Sequence, residues 1–229
     1  MAKKTRSPLT RERVLGAALA LADEGGFEAL SMRKLGHELG VEAMSLYNHV
    51  ANKGDLLHGI LELVLLEMEI PGEGVRWKAA LRKHAVSAHA AYRRHPWACR
   101  LAVAPPSLDH VLDVQIRQME WKLGRLREGL SEHLAYHGLH ALDSHITGFT
   151  LWELSHNITA ENVGDLAARF LRLFPADDYP RTYEHVEQHL TGFGRDTDAF
   201  EFGLDLILDG LERQHEPQTR PRKRRTAAR

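Results

Sequence analysis

The chain has 229 residues, 43% of them hydrophobic and 27% charged, enough apolar material for a substantial core and too much for a disordered polypeptide. No apolar run approaches the ~18 residues of a membrane helix. The N-terminus MAKKTRSPLT is polar and basic rather than a secretory signal, and the single Cys99 excludes an intramolecular disulfide, as suits a cytoplasmic protein. The formal net charge of −1 is divided along the chain: residues 1–56 carry 8 Lys/Arg against 7 Asp/Glu, residues 57–215 carry 16 against 23, and residues 216–229 carry 6 against 1. An acidic middle repels DNA, so nucleic-acid binding is expected of the ends and not of the bulk.

Lys3, Lys4 and Arg6 form a basic arm of the kind that adds phosphate or minor-groove contacts. Thr10 is placed to cap a first helix, with Arg13 where a capping box would have Glu. Val14, Ala17, Ala18, Leu21 and Ala22 make the inner stripe of that helix, and Gly25-Gly26 ends it. Phe27 and Leu30 are expected beneath the next two helices. Ser31 is a suitable N-cap for the first of these, whose Met32, Leu35 and Leu39 recur at helical spacing before Gly40 stops it. Val41 plugs the corner. A second short helix, from about Glu42 to Val50, turns Leu46 and Val50 inward and leaves Ala43, Met44, Ser45, Tyr47, Asn48 and His49 outward. That outer face suits base edges, phosphates and thymine methyls in a major groove, and a helix-turn-helix is the expected structure.

Asn52 is expected to cap a helix running to about Met68, whose first turn offers backbone N–H groups and Lys53 to a phosphate. Leu56, Leu57, Ile60, Leu61, Val64, Leu65 and Met68 make it apolar nearly all round, which predicts a bridge from the reading head into a second domain. Pro71, Gly72 and Gly74 then break the chain. Further helices are predicted over Trp77 to His95, Trp97 to Ala104, Ser107 to Glu128 (capped by Ser107), Glu132 to about Asn157, Asn162 to Phe174, Tyr183 to Leu190 and Asp198 to Gln214, the last one amphipathic. No alternating strand pattern or internal repeat interrupts them. The tail EPQTRPRKRRTAAR has nothing to bury and is expected to be disordered. The domains expected are residues 1–56, a DNA-binding head with its basic arm; residues 57–215, a larger helical domain; and residues 216–229, the tail.

The stretch from Leu9 to Leu63, above all GVEAMSLYNHVANKGDLL, closely resembles the DNA-binding domain of the TetR family of bacterial repressors. The resemblance implies an all-α protein with a three-helix head and a helical ligand-binding and dimerisation domain. It implies a cytoplasmic homodimer that leaves a palindromic double-stranded operator when an unknown small-molecule effector binds. Carried onto matching positions, it gives Arg33 a contact to guanine or phosphate, Tyr47, His49 and Lys53 contacts to phosphates, and Ala43, Met44, Ser45 and Asn48 the variable reading positions. The founding repressor has Gln-Pro and Trp in that face, so a different operator is implied. The final helix and GFTLWEL around Phe149 resemble the helices that the tetracycline-repressor subclass pairs into a four-helix bundle between dimer mates.

An effector cavity is expected between helices of the second domain, with His84, Ala88, His89, Tyr92, Trp97, Leu112, Ile116, Trp121, His145, Phe149 and Trp152 as its wall. His133, His137 and His140, and the pair His185 and His189, fall at helical spacings open to a shared metal. With no HExxH and no cysteine cluster beside them, neither a metal nor another cofactor is expected. The stretch matching the founding repressor's metal ligand, Ala98 to Ala104, contains no histidine, which argues against a magnesium–tetracycline effector. Two other classes are open to the sequence: a helical enzyme built on Glu153 and His156, and a nucleoid-type binder driven by the basic tail. No nucleophile–base pair or phosphate loop supports an enzyme.

Overall fold

A computed structural model describes residues 8–103, 113–156, 162–191 and 198–215. Among these residues every regular element is helical, and the chain is all-α. The head comprises α1 (Arg11–Gly25), a 3₁₀ turn at Phe27–Ala29, α2 (Met32–Leu39) and α3 (Ala43–Leu46). It is followed by α4 (Lys53–Leu66), α5 (Trp77–Arg94), α6 (Pro96–Val103), α7 (Asp113–Gly129), α8 (Glu132–His156), α9 (Val163–Leu173), α10 (Pro180–Thr191) and α11 (Ala199–His215).

Local signals account for the head's boundaries. The Thr10 hydroxyl accepts from Arg13 N at 3.3 Å and the Ser31 hydroxyl from Lys34 N at 3.2 Å. The Asn52 side chain accepts from Asp55 N at 2.9 Å, and each such cap stabilises its helix by ~1 kcal/mol. Gly40 ends α2 in the left-handed conformation, φ 64° and ψ 38°, which side chains with a Cβ adopt at a cost.

Three expected boundaries are corrected. The helix expected to read DNA is a single turn, Ala43–Leu46, rather than Glu42 to Val50. Beyond it Tyr47, Asn48 and His49 donate to the carbonyls of Met44, Ser45 and Leu46, and these i→i+3 bonds tighten the chain into turns. α4 stops at Leu66, with Met68 buried just past its end. α10 starts at Pro180, three residues earlier than expected, because proline is well tolerated at a helix's first position. Ser107, Leu112, the basic arm, the tail and the side chain of His189 lie outside the described residues.

α4 makes the bridge that its apolar circumference predicts. It packs on α1 in the head and on α5, α6 and α7 beyond it, with Leu56, Ile60, Leu61, Val64 and Leu65 buried. Gly59 permits the close approach of α1: a Cβ there would meet Leu15 Cδ2 at 2.6 Å. One continuous apolar core therefore runs from Val14 and Leu35 through Ile60 and Leu81 to Leu142, Phe200 and Leu208. α11 packs on α8 and α5, and two ion-pair groups tie it to α5: Lys78 to Asp209 and Glu212, and Arg82 to Glu201 and Asp205. No helix among the described residues is long and apolar enough to cross a membrane.

Candidate operator-reading head and effector cavity

The corner between α2 and α3 is set by Gly36. A Cβ on that residue would stand 2.9 Å from the Val41 carbonyl oxygen and 3.2 Å from Ala43 N, so the two helices meet backbone to backbone. Leu35, Leu46 and Val50 are fully buried beneath the corner. The opposite face is left to solvent: Met44 is 75% exposed and Tyr47 45%, Asn48 is exposed, and Ala43, Ser45 and His49 are half-buried. On α2, Arg33 is exposed and shares an open groove with Ser31, Lys34 and His37. Lys53 is exposed at the start of α4. The structure thus collects Arg33, Met44, Tyr47, Asn48 and Lys53 on the head's surface. Lys34 and His37 were not singled out from the sequence, although both share the polar side of α2 with Arg33.

A third missed residue, Arg11, locks this arrangement. Its guanidinium forks onto both oxygens of Asp55, at 2.7 and 3.0 Å, and donates to the His49 carbonyl at 2.8 Å. Asp55 Oδ2 also accepts from Ala51 N at 2.8 Å. The Arg11 hydrogen bond is the main force holding the Asp55 carboxyl below its ordinary range, so the stabilisation is present above the unfolded value near pH 3.9 and is lost as acid protonates the folded group. Both side chains are partly solvated, at 42% and 31% exposure, so Arg11→Ala is expected to cost only about 1 kcal/mol. Faster amide exchange from His49 to Asp55 would register it at neutral pH, and the difference from wild type should shrink progressively as the pH falls below ~3.9.

One cavity of the larger domain measures about 280 Å³ and lies between α4, α5, α6, α7 and α8. Its wall takes in His84, Ala88, Tyr92 and Ile116 from the expected set, and Trp121 packs behind His84 with ring centroids 5.1 Å apart. His84 Nδ1 donates to the Glu69 carbonyl at 2.8 Å, leaving Nε2 as the ring's acceptor, and burial lowers its pKa. Burial likewise raises the Tyr92 phenol and keeps it a neutral hydroxyl. The polar residues missed in the sequence are Gln115, Gln118 and Lys122 on α7, with Asp143 and Thr147 on α8. Gln118 donates to the Leu65 carbonyl at 2.8 Å, Lys122 pairs with Asp143, and Thr147 donates to the Asp143 carbonyl at 2.7 Å. The three α7 residues recur at i, i+3 and i+7 and so share one helix face, but α7 is polar on other faces too, and only its packing on α4, α5 and α8 turns this one inward.

The other expected wall residues lie elsewhere. Trp97 is fully buried and donates from Nε1 to Asp23 of α1 at 2.7 Å. Trp152 is 53% exposed beside a separate cleft with Pro96 and Arg100. His89, His145 and Phe149 gather around Phe200 of α11, with His89 stacked on that ring at 4.0 Å. His89 Nδ1 donates to Thr150 Oγ1 at 2.8 Å, and burial followed by the Arg93 charge pushes its pKa down to about 4. Its 3.4 Å separation from Glu153 is thus that of a neutral ring beside a carboxylate and not an ion pair, because desolvation outweighs so long a contact. Glu153 faces His89 and Arg93, whereas His156 is exposed and bonds to the Trp152 carbonyl. His133, His137 and His140 are exposed along α8; among the described residues no group of three or more His, Cys, Asp or Glu could hold a metal ion.

A helix-turn-helix head joined by one shared helix to an all-helical domain with a partly polar cavity is the architecture of a one-component DNA-binding regulator. Residues 14–60 match the family "Bacterial regulatory proteins, tetR family", and residues 70–215 match "Tetracyclin repressor-like, C-terminal domain". The chain belongs to the TetR family and is a ligand-responsive transcriptional repressor acting as a homodimer on double-stranded DNA. It is 35% identical over 216 residues to the HTH-type transcriptional repressor DrrR1 of Streptomyces coeruleorubidus, covering 89% of this chain and 77% of that one. It is 29% identical over 200 residues to the class D tetracycline repressor of Escherichia coli, covering 81% and 89%. The structure of ActR from Streptomyces coelicolor in complex with actinorhodin superposes with a TM-score of 0.67 at 30% identity, covering 92% of this chain and 100% of that one. SCO7222 from the same organism gives 0.75 at 24% identity, a likeness of fold, covering 91% and 100%.

Proposed function

We propose that Arg33, Ala43, Met44, Ser45, Tyr47, Asn48, His49 and Lys53 form the operator contact, and that a small-molecule effector enters the cavity lined by His84, Tyr92, Gln118 and Lys122. The observation that carries this reading is the double duty of α4. Its first turn presents Lys53 beside the reading turn, while Leu65 in its last turn and Met68 just beyond wall the cavity. A ligand pressing on Leu65 and Met68, or competing for the amide of Gln118, acts on the same rigid rod that carries the head. Binding then favours dimers whose heads no longer match major grooves ~34 Å apart. Asn48 and Arg33 supply the polar base contacts, Ala43 and Met44 apolar ones, and phosphates fall to Tyr47, His49 and Lys53. Residues 1–56 work as the head, 57–215 as the effector and dimer domain, and 216–229 as a basic tail. The protein works in the cytoplasm, where its DNA target lies, and has no catalytic step of its own.

Selection of bound sequences from a random DNA pool at near-physiological salt tests the reading first. An enriched palindrome is expected; binding that shows no enrichment and vanishes as salt rises would return the basic ends to the leading role. The selected operator then serves to screen compounds for release. Gln118→Leu and Lys122→Met are expected to weaken the response to any releasing compound by about 1–3 kcal/mol, or ~5- to 150-fold, with operator affinity in its absence little changed. A response equal to wild type in both variants would move the effector site elsewhere.

A further inference from the structure

Where the head meets the core, one imidazole stands between carboxylates of two different elements. His95, at the end of α5, has Nδ1 2.8 Å from Oδ1 of Asp23 on α1 and Nε2 3.2 Å from Oε1 of Glu67 at the end of α4. Its side chain is only 10% exposed. Asp23 Oδ1 also accepts the indole N–H of Trp97 at 2.7 Å, and Glu67 Oε2 accepts from Arg94 at 2.5 Å. The charged groups facing the ring are thus Asp23 from α1, Glu67 from α4 and Arg94 from its own helix, while α6 contributes the uncharged Trp97. Farther along the same seam Arg100 approaches Glu28 at 3.7 Å and lies over the Phe27 ring.

The chemistry of this group has one solution. A carboxylate only accepts hydrogen bonds, and a neutral imidazole has a single N–H. The neutral ring can therefore satisfy Asp23 or Glu67, and turns a lone pair toward the other. The imidazolium donates to both.

We infer that His95 is a positioning residue, a proton-dependent clamp that fixes the reading head on the ligand-binding core. It is closed when the ring is protonated and slackened when it is not. Its place gives this consequence. α6 carries Trp97 near one end and the cavity residues Ala102 and Val103 at the other, and Glu67 lies between the cavity residues Leu65 and Met68. The clamp thus joins α1 to two of the five helices that line the cavity, so operator affinity becomes linked to protons as well as to ligand.

Two readouts on the full-length dimer test it, only the second of which rests on the DNA-binding reading. The Trp97 indole N–H resonance, assigned through Trp97→Phe, is followed from about pH 5 to pH 8, the range in which histidine changes charge. It is expected to move in the wild type and to stay still in His95→Gln, with His95→Asn as the second variant should the first fold poorly. Identical profiles in wild type and variants would overturn the clamp. Operator affinity over the same range is then expected to vary at least ~5-fold more in the wild type than in His95→Gln. Equal profiles there would overturn the link to DNA binding. If no operator is selected at all, the functional reading fails on its own, and the Trp97 resonance still decides the clamp.

Discussion

Tyr47→Ala should reduce operator affinity by about 1–3 kcal/mol, or ~5- to 150-fold, and leave the fold and the dimer untouched. The reason lies in where the side chain stands. Tyr47 closes the single turn of α3, its backbone N–H bonded to the Met44 carbonyl, while its ring is 45% exposed. The core below is filled by Leu46 and Val50, so truncation removes surface chemistry and opens no cavity. Tyr47→Phe separates two contributions: it keeps the ring and loses the hydroxyl, and an intermediate affinity would assign the difference to a phosphate hydrogen bond. Lys53→Ala is the complementary probe, because loss of a cation on phosphate should lower the slope of log affinity against log salt by about 1, whereas Tyr47→Ala should leave that slope unchanged. Anisotropy titrations on the selected operator at several salt concentrations measure all three. Wild-type affinity in Tyr47→Ala would remove this face from the contact.

Gly36→Ala should be nearly as damaging to binding, by a different route. The new Cβ would lie 2.9 Å from the Val41 oxygen and 3.2 and 3.3 Å from Ala43 N and Cα, all backbone atoms that cannot swing aside. α3 must move outward, and overpacking of this kind costs ~1–3 kcal/mol. The head should melt earlier, and operator affinity should fall with it because the reading turn is displaced. Gly16→Ala is the internal control. It lies on α1 of the same head with open space around it, so alanine should be neutral or stabilising by up to ~1 kcal/mol. Thermal unfolding of both variants, with sizing of the dimer, separates local misfit from general loss of structure. Equal stability of Gly36→Ala and wild type would mean that the corner relaxes more easily than backbone packing suggests.

The helices and their stops were legible because they rest on local chemistry. Ser31, Asn52 and Thr10 accept hydrogen bonds three residues along the chain, and Gly40 needs only its own backbone. The bridging role of α4 was legible too, since apolar residues all round a helix require partners on every side. The length of α3 was not. A run of small and polar residues is compatible with either a continued helix or 3₁₀ turns, and the choice falls to Arg11, which reaches across from α1 to hold the His49 carbonyl. The ring-bearing residues expected around the effector parted for a similar reason. Trp97 went to the seam with the head, His89 and His145 to the stack on Phe200, Trp152 to the surface and His84 to the cavity, because no short pattern around any of them fixes which helix it will face.

The sequence by itself determined the all-helical class and the helix-turn-helix, because caps, glycine stops and the periodicity of Leu35, Leu46 and Ile60 act over a few residues and need no distant partner; the family was legible through the resemblance carried by GVEAMSLYNHVANKGDLL. Only the tertiary structure decided which polar side chains share a site. Lys122 meets Asp143 across 21 positions, Gln118 meets Leu65 across 53, and His95 meets Asp23 across 72. Such pairs are set by how helices cross, and a crossing depends on the summed packing of two surfaces rather than on any short motif in either of them.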